Sequence, residues 1–206
     1  MFDSADVEAE VVLVGRSNVG KSTLMAELTG HDVERGRRPG VTREPNQYDW
    51  TDRGGFAVTD LPGFGFMEGV DERQRERIKD EIVAYLETHA DRILAAVHVV
   101  DAGAFIEIVE RWRGRGEVPH DLDLHGLLAD LGIPTIVAAN KIDKVDDRDA
   151  TLDAIGDELG YPPPWTQWRD AIAPTDAKSG NVAALREALE AVFDDAGRPE
   201  LTGRIA

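Results

Sequence analysis

Residues 15–24 read GRSNVGKSTL: two glycines bracket four residues and lead into a lysine and a hydroxyl. Behind them stands the apolar run EVVLVG (10–15), and ahead lies a segment of helical period. A polyphosphate is best held by backbone N–H groups converging from a loop that enters a helix N-terminus, where aligned peptide dipoles add partial positive charge. Glycine at 15 and 20 permits backbone angles and a close approach that a side chain would prevent. Lys21 is then placed to reach the terminal phosphates, and the Ser22 hydroxyl to ligate Mg2+. The alternative is an ordinary glycine-rich turn, but GxxxxGK[ST] arises by accident on the order of once in a hundred chains of this length, and here it also has the flanking strand and helix. The stretch predicts a nucleotide phosphate cradle.

Outward from the cradle, apolar runs bounded by turn signals alternate with helical segments, the pattern of a parallel sheet covered on both faces. Strands are expected at 10–15, 46–51, 56–60, 93–101, 135–140 and 172–177, and the DRGG turn (52–55) makes the second of these an antiparallel edge strand. The fold class is therefore α/β, a three-layer domain with a six-stranded, mostly parallel sheet. Helices are expected after Lys21, over 71–88 and 121–131, and around Leu152–Leu159 and Val182–Val192. Two interruptions stand out: 110–121, and the insert GYPPPWTQWRD (160–170), whose three prolines forbid helix. One domain of 206 residues is expected, with a core from about 10 to 193 and a polar, disordered tail over 194–206.

Two further motifs narrow the chemistry. ANKID (139–143) closes the fifth strand on the same sheet edge as the cradle, where open parallel sheets bind ligands. The Asp143 carboxylate can accept hydrogen bonds from the ring N–H and exocyclic amine of guanine, whereas adenine would leave it desolvated and unpaired. Lys141 can lie over the base plane, and Asn140 can tie this loop to the cradle. In VTDLPGFGF (58–66), Asp60 stands at a strand end to meet Mg2+ through water, and Gly63 can offer its N–H to a γ-phosphate. In RRPGVTRE (37–44), Thr42 is the candidate second hydroxyl ligand of Mg2+ in the triphosphate state.

GRSNVGKS, PGVT, DLPGFGF and NKID, in this order from about Val11 to Phe193, resemble the translation-factor-related GTPases and look most like the EngB family in an archaeal-type form. The resemblance implies GTP and GDP contacts along Gly15, Arg16, Ser17, Asn18, Val19, Gly20, Lys21, Ser22 and Thr23, then Gly40, Val41 and Thr42, then Asp60, Leu61, Pro62 and Gly63. Further contacts fall on Asn140, Lys141, Ile142 and Asp143. The remaining guanine loop falls on Asp176, Ala177 and Lys178: the Ala177 N–H would face the guanine carbonyl, while Asp176 replaces the usual small hydroxyl residue. The catalytic set is then Lys21, Asn18, Thr42 and Gly63. Where related enzymes place a water-orienting glutamine, this chain has Phe64, which cannot do that job. In relatives without the glutamine, the residue at Asn18 helps bind K+, so hydrolysis is expected to be slow and K+-stimulated; the plainer alternative is that Asn18 only braces the loop. The family also implies a role in large-subunit ribosome assembly and in normal cell division and septation, with pre-ribosomal particles or rRNA as partner. A non-hydrolysing GTP/GDP-binding scaffold stays open as the second reading.

Composition bounds the rest. The absence of cysteine excludes disulfides and thiolate chemistry, and no basic leader or bilayer-length apolar run is present, so a cytoplasmic monomer with no membrane or DNA partner is expected. Arginines at 35, 37, 38 and 43, at 73, 75 and 77 with Lys79, and at 111, 113 and 115 around Trp112 are candidate RNA contacts, against which interspersed glutamates argue. The five histidines (31, 89, 98, 120, 125) lack metal-ligand spacing, and Trp165 and Trp168 are expected to pack over the sheet edge. The formal charge is −17, with 18 Arg against 5 Lys. Self-repulsion of that size favours a salt-adapted chain over an ordinary acidic one. Thermal unfolding in molar KCl should then lie well above that in dilute buffer; no difference would remove the salt-adaptation reading.

Overall fold

A computed structural model describes residues 7–30, 46–50, 55–63 and 72–205, with side chains described for all of these except 46–50, 72 and 75. Six strands form one sheet in the order β2-β3-β1-β4-β5-β6: β1 Ala9–Val14, β2 Asn46–Trp50, β3 Phe56–Asp60, β4 Ile93–Asp101, β5 Thr135–Asn140 and β6 Ile172–Pro174. Strands β3, β1, β4, β5 and β6 run parallel. At the outer edge β2 pairs antiparallel with β3, Asn46 opposite Asp60 and Trp50 opposite Phe56.

The central strands are nearly continuous Val, Ile, Leu and Ala because both sheet faces are covered, and alternate residues serve opposite faces. On one face Val11, Leu13, Val97 and Val99 pack against α1 (Lys21–Thr29) and α6 (Ala183–Asp195) through Leu24, Leu28, Leu185 and Leu189. On the other, Val12, Val14 and Ala96 meet Ile78, Ile82 and Leu86 of α2 (Glu72–His89) and Leu124 and Leu128 of α4 (His120–Asp130). Beside them Val100, Val137 and Ala139 are covered by Phe105 and Val109 of α3 (Phe105–Arg113) and by Leu152 and Ile155 of α5 (Arg148–Glu158).

One buried carboxylate interrupts this packing. Glu10 of β1 is fully buried and accepts hydrogen bonds from Tyr85 Oη (2.5 Å), Arg92 Nε (3.1 Å) and the Thr59 hydroxyl. These donors offset its lost hydration and tie the C-terminal half of α2 to β1 and β3. Burial and then the Glu10 charge push the Tyr85 hydroxyl well above its ordinary pKa, so it stays a donor.

Two segments depart from the sequence reading. The stretch 110–121 begins inside α3, whose Phe105 and Val109 are buried, and the helix ends at Gly114. The expected disordered tail is instead folded: after α6 a 3₁₀ turn, Pro199–Arg204, delivers Leu201 and Ile205 into the α1–α6 core. Two apolar residues in a polar stretch were too sparse to show a period, but each fills a space left by α6. In the proline insert, Trp165 is buried against α5, its indole N–H donating to Asp149 (2.9 Å), and Trp168 donates to the Pro162 carbonyl (2.8 Å).

Candidate nucleotide-binding site

All four described site segments lie at the carboxyl ends of the parallel strands, where ligands of open α/β sheets bind. The loop after β1 is held in one shape by glycine. A Cβ on Gly15 (φ 143°) would sit 2.3 Å from the Val99 carbonyl oxygen, and one on Gly20 (φ 105°) 2.3 Å from the Asn140 amide nitrogen. Gly20 is the N-cap of α1 and supplies no side-chain acceptor, so the first-turn N–H groups face the loop uncapped. Lys21 folds into the loop, donating to the carbonyls of Gly15 (3.0 Å) and Arg16 (3.1 Å). Ser17 donates to the Gly63 carbonyl at 3.3 Å, and a Cβ on Gly63 would lie 2.8 Å from Ser17. Val19 is buried below the loop, whereas Asn18 and Thr23 are exposed.

The Ser22 hydroxyl donates to Asp60 Oδ2 at 2.5 Å. The other carboxylate oxygen, Oδ1, is buried with no hydrogen-bond partner among the described residues. Leu61, buried behind Asp60, donates its N–H to the Leu13 carbonyl and keeps the segment Leu61, Pro62, Gly63 against the cradle. Burial pushes the Asp60 pKa up, with Lys21 and Ser22 pulling it back. Burial likewise lowers the Lys21 pKa, opposed by Asp60 and then Asp121. A buried carboxylate oxygen left without a donor, beside a hydroxyl at the mouth of an N–H-lined loop, suits a hard, hydrated cation such as Mg2+. No cluster of three or more His, Cys, Asp or Glu able to hold a metal occurs among the described residues. The donors for Mg2+ would therefore be Ser22, water on Asp60 and the phosphates themselves.

At the end of β5, Asn140 donates through Nδ2 to the Val19 carbonyl (2.8 Å) and accepts through Oδ1 from the Ala177 N–H (3.0 Å) and the Thr175 hydroxyl (3.3 Å). Lys141 adopts a left-handed backbone (φ 61°), and its ammonium donates to the Asn18 carbonyl and to Asp101 Oδ2, each at 2.7 Å. Ile142 is buried, its N–H on the Thr175 carbonyl, and Asp143 beside it is exposed. The Ala177 N–H, expected to face a guanine carbonyl, donates here to Asn140. Asp176 braces its own loop, accepting from the Lys178 N–H (3.2 Å) and the Ser179 hydroxyl (2.5 Å). Gly40, Val41, Thr42, Phe64 and the arginines at 35, 37, 38 and 43 lie outside the described residues.

Residues 10–141 match the family described as 50S ribosome-binding GTPase. Over 199 residues the chain is 56% identical to the probable GTP-binding protein EngB of Halorubrum lacusprofundi, covering 97% of this chain and 96% of that protein. The corresponding protein of Haloquadratum walsbyi is 57% identical over 193 residues, 93% of each chain. The chain belongs to the EngB family of GTP-binding proteins. A crystal structure of a probable GTP-binding protein engB superposes with a TM-score of 0.81 at 41% identity, covering 91% of this chain and 100% of that one. The FeoB G-domain of Methanococcus jannaschii shares the fold, with a TM-score of 0.51 at 22% identity over 92% of this chain.

Within an EngB site, Asp101 is the residue that sequence reading missed. It ends β4, more than thirty positions from any motif, and only the parallel register opposite Asn140 brings it to Lys141. Its other oxygen accepts from the Gly103 N–H (3.1 Å), which fixes its direction. Asp101→Ala should weaken GTP and GDP alike by about fivefold, the scale of a partly exposed ion pair. Calorimetry reading unchanged affinities would show that Lys141 needs no such anchor.

Proposed function

We propose that this EngB chain is a single G domain, a cytoplasmic monomer, that binds GTP with Mg2+, hydrolyses it slowly to GDP and phosphate, and acts as a nucleotide-dependent switch in large ribosomal subunit assembly, on which normal cell division and septation depend. The supporting observation is the joining of two ends of one site: a loop of uncapped N–H groups with Lys21 and Ser22, and an exposed Asp143 carboxylate carried on a strand whose Asn140 grips that loop. The description of the matching family as ribosome-binding supports the partner. No helix among the described residues is long and apolar enough to cross a membrane.

In this reading Lys21 leaves its two loop carbonyls for the β- and γ-phosphates, and phosphate charge restores the ammonium that burial disfavours. Mg2+ supplies charge neutralisation between the phosphates when bound at Ser22, Asp60 and Thr42. Gly63 turns its N–H toward the γ-phosphate, and Asp143 selects guanine. Asn18 supports the K+ reading over simple bracing. Its backbone carbonyl does the bracing, through Lys141, while its exposed side chain has no hydrogen bond among the described residues. The basic groups are less free than the sequence suggests: Arg111 pairs with Glu107, Arg113 with Glu158 (2.5 Å) and Lys79 with Asp123 (3.0 Å). We therefore assign the ribosomal contact to the arginine segment 35–43 and the exposed Arg73 and Arg77 of α2.

Single-turnover hydrolysis with Mg2+ should be faster in KCl than in NaCl, and Asn18→Ala should abolish the difference. Equal rates in the two salts would overturn the K+ assignment, and no turnover in either would favour the scaffold reading. Sedimentation with large-subunit particles should differ between a GTP analogue and GDP; identical profiles would count against a switch.

A further inference from the structure

Arg16, the second residue of the phosphate loop, uses its carbonyl to hold Lys21, and its side chain reaches toward α4. There its Nη1 lies 3.9 Å from Oδ2 of Asp121, which is only 1% exposed. On the far side of that carboxylate, His98 of β4 places Nε2 3.6 Å from Oδ1 and is itself fully buried. His125, one turn along α4, stacks on His98 with ring centroids 5.7 Å apart, and burial, then His98, pushes its pKa down to about 4, so it is neutral. Among the described residues, Arg16 Nη1, both Asp121 oxygens and both His98 ring nitrogens have no hydrogen-bond partner.

A buried carboxylate without a single hydrogen bond is costly, and the long contacts to Arg16 and His98 and its place in the first turn of α4 offset that cost without supplying a specific reason to keep it. Its placement gives one. Arg16 is 16% exposed, and a guanidinium at that point of the loop would otherwise be drawn to the same phosphates that Lys21 serves. Asp121 also stands close enough to Lys21 to favour its charged form, second only to Asp60.

We propose that Asp121 is a positioning residue of the phosphate loop: its carboxylate draws the Arg16 guanidinium inward, which fixes the Arg16 carbonyl that orients Lys21 for a nucleoside di- or triphosphate. No sequence motif of the site contains this position, and it reaches the loop only because α4, packed on β4 and β5, brings its first turn to Arg16. The inference rests on the reading of the loop as a phosphate cradle.

The test compares wild type, Asp121→Asn, Arg16→Gln and the double variant by calorimetry with GDP and GMP in Mg2+, alongside thermal unfolding without nucleotide. Each single variant should lose about tenfold in GDP affinity, with GMP, which lacks the β-phosphate, much less affected. The double variant should be no worse than the weaker single, since both remove one linkage. Nucleotide-free Asp121→Asn should melt lower than wild type, because it leaves the part-buried Arg16 guanidinium without its counter-charge, so the contrast between GDP and GMP, and not stability, reads the positioning role. Unchanged GDP affinity, multiplying losses, or a loss that GMP shares equally would overturn the inference. A wild-type chain that bound neither nucleotide would overturn the cradle reading, and this inference with it.

Discussion

The side chain of Asn140 satisfies groups from two pieces of chain at once. One amide reaches the Val19 carbonyl in the phosphate loop and the N–H of Ala177 and hydroxyl of Thr175 beyond β6. It is 3% exposed, so each of these contacts replaces water that cannot reach the same groups. Gly20 must be glycine partly on its account, since a Cβ there would occupy the space of its Nδ2. The distance between the phosphate end and the base end of the site is therefore set by one buried amide. The sheet contributes by holding β1 and β5 on either side of β4 at fixed register.

Charge is handled locally in the same way. The chain carries a large negative excess, yet two lysines of the site are tethered: Lys21 to two loop carbonyls, Lys141 to Asn18 and Asp101. A field that attracts polyphosphate needs only these few oriented donors at the mouth of the loop, because at physiological salt charges beyond about 8 Å are screened. The acidic surface can thus serve solubility without opposing the ligand.

What the sequence disclosed and what it hid divide along a physical line. Gly15, Gly20, Lys21 and Ser22 were legible because their roles depend on backbone angles and neighbours a few residues apart, and Asn140 with Asp143 because strand β5 presents them together. Helix α3 was hidden: it begins at Phe105 behind Ala104, an N-cap with no capping side chain, and the glycines that follow it drew attention to a break. Leu201 and Ile205 were hidden because only the shape left beside α6 gives them a place. Asp101 and Asp121 act on loops far away in sequence, and no local pattern marks a residue whose partner is set by strand order.

The acids near the phosphate end also constrain the chemistry available there. Asp60 is engaged by Ser22 and carries a raised pKa, Asp101 is spent on Lys141, and Asp121 faces Arg16. None is placed as a free base for an attacking water. In phosphoryl transfer that is a smaller loss than it would be in acyl transfer, because the transition state asks for charge neutralisation and alignment more than for proton abstraction. A site built from N–H groups, one lysine and hydroxyls can neutralise charge without a base. Under the function proposed above, its rate would depend on which further cation or partner is brought to the phosphates, a property that suits a switch, since hydrolysis timed by an outside contact reports that the contact has been made.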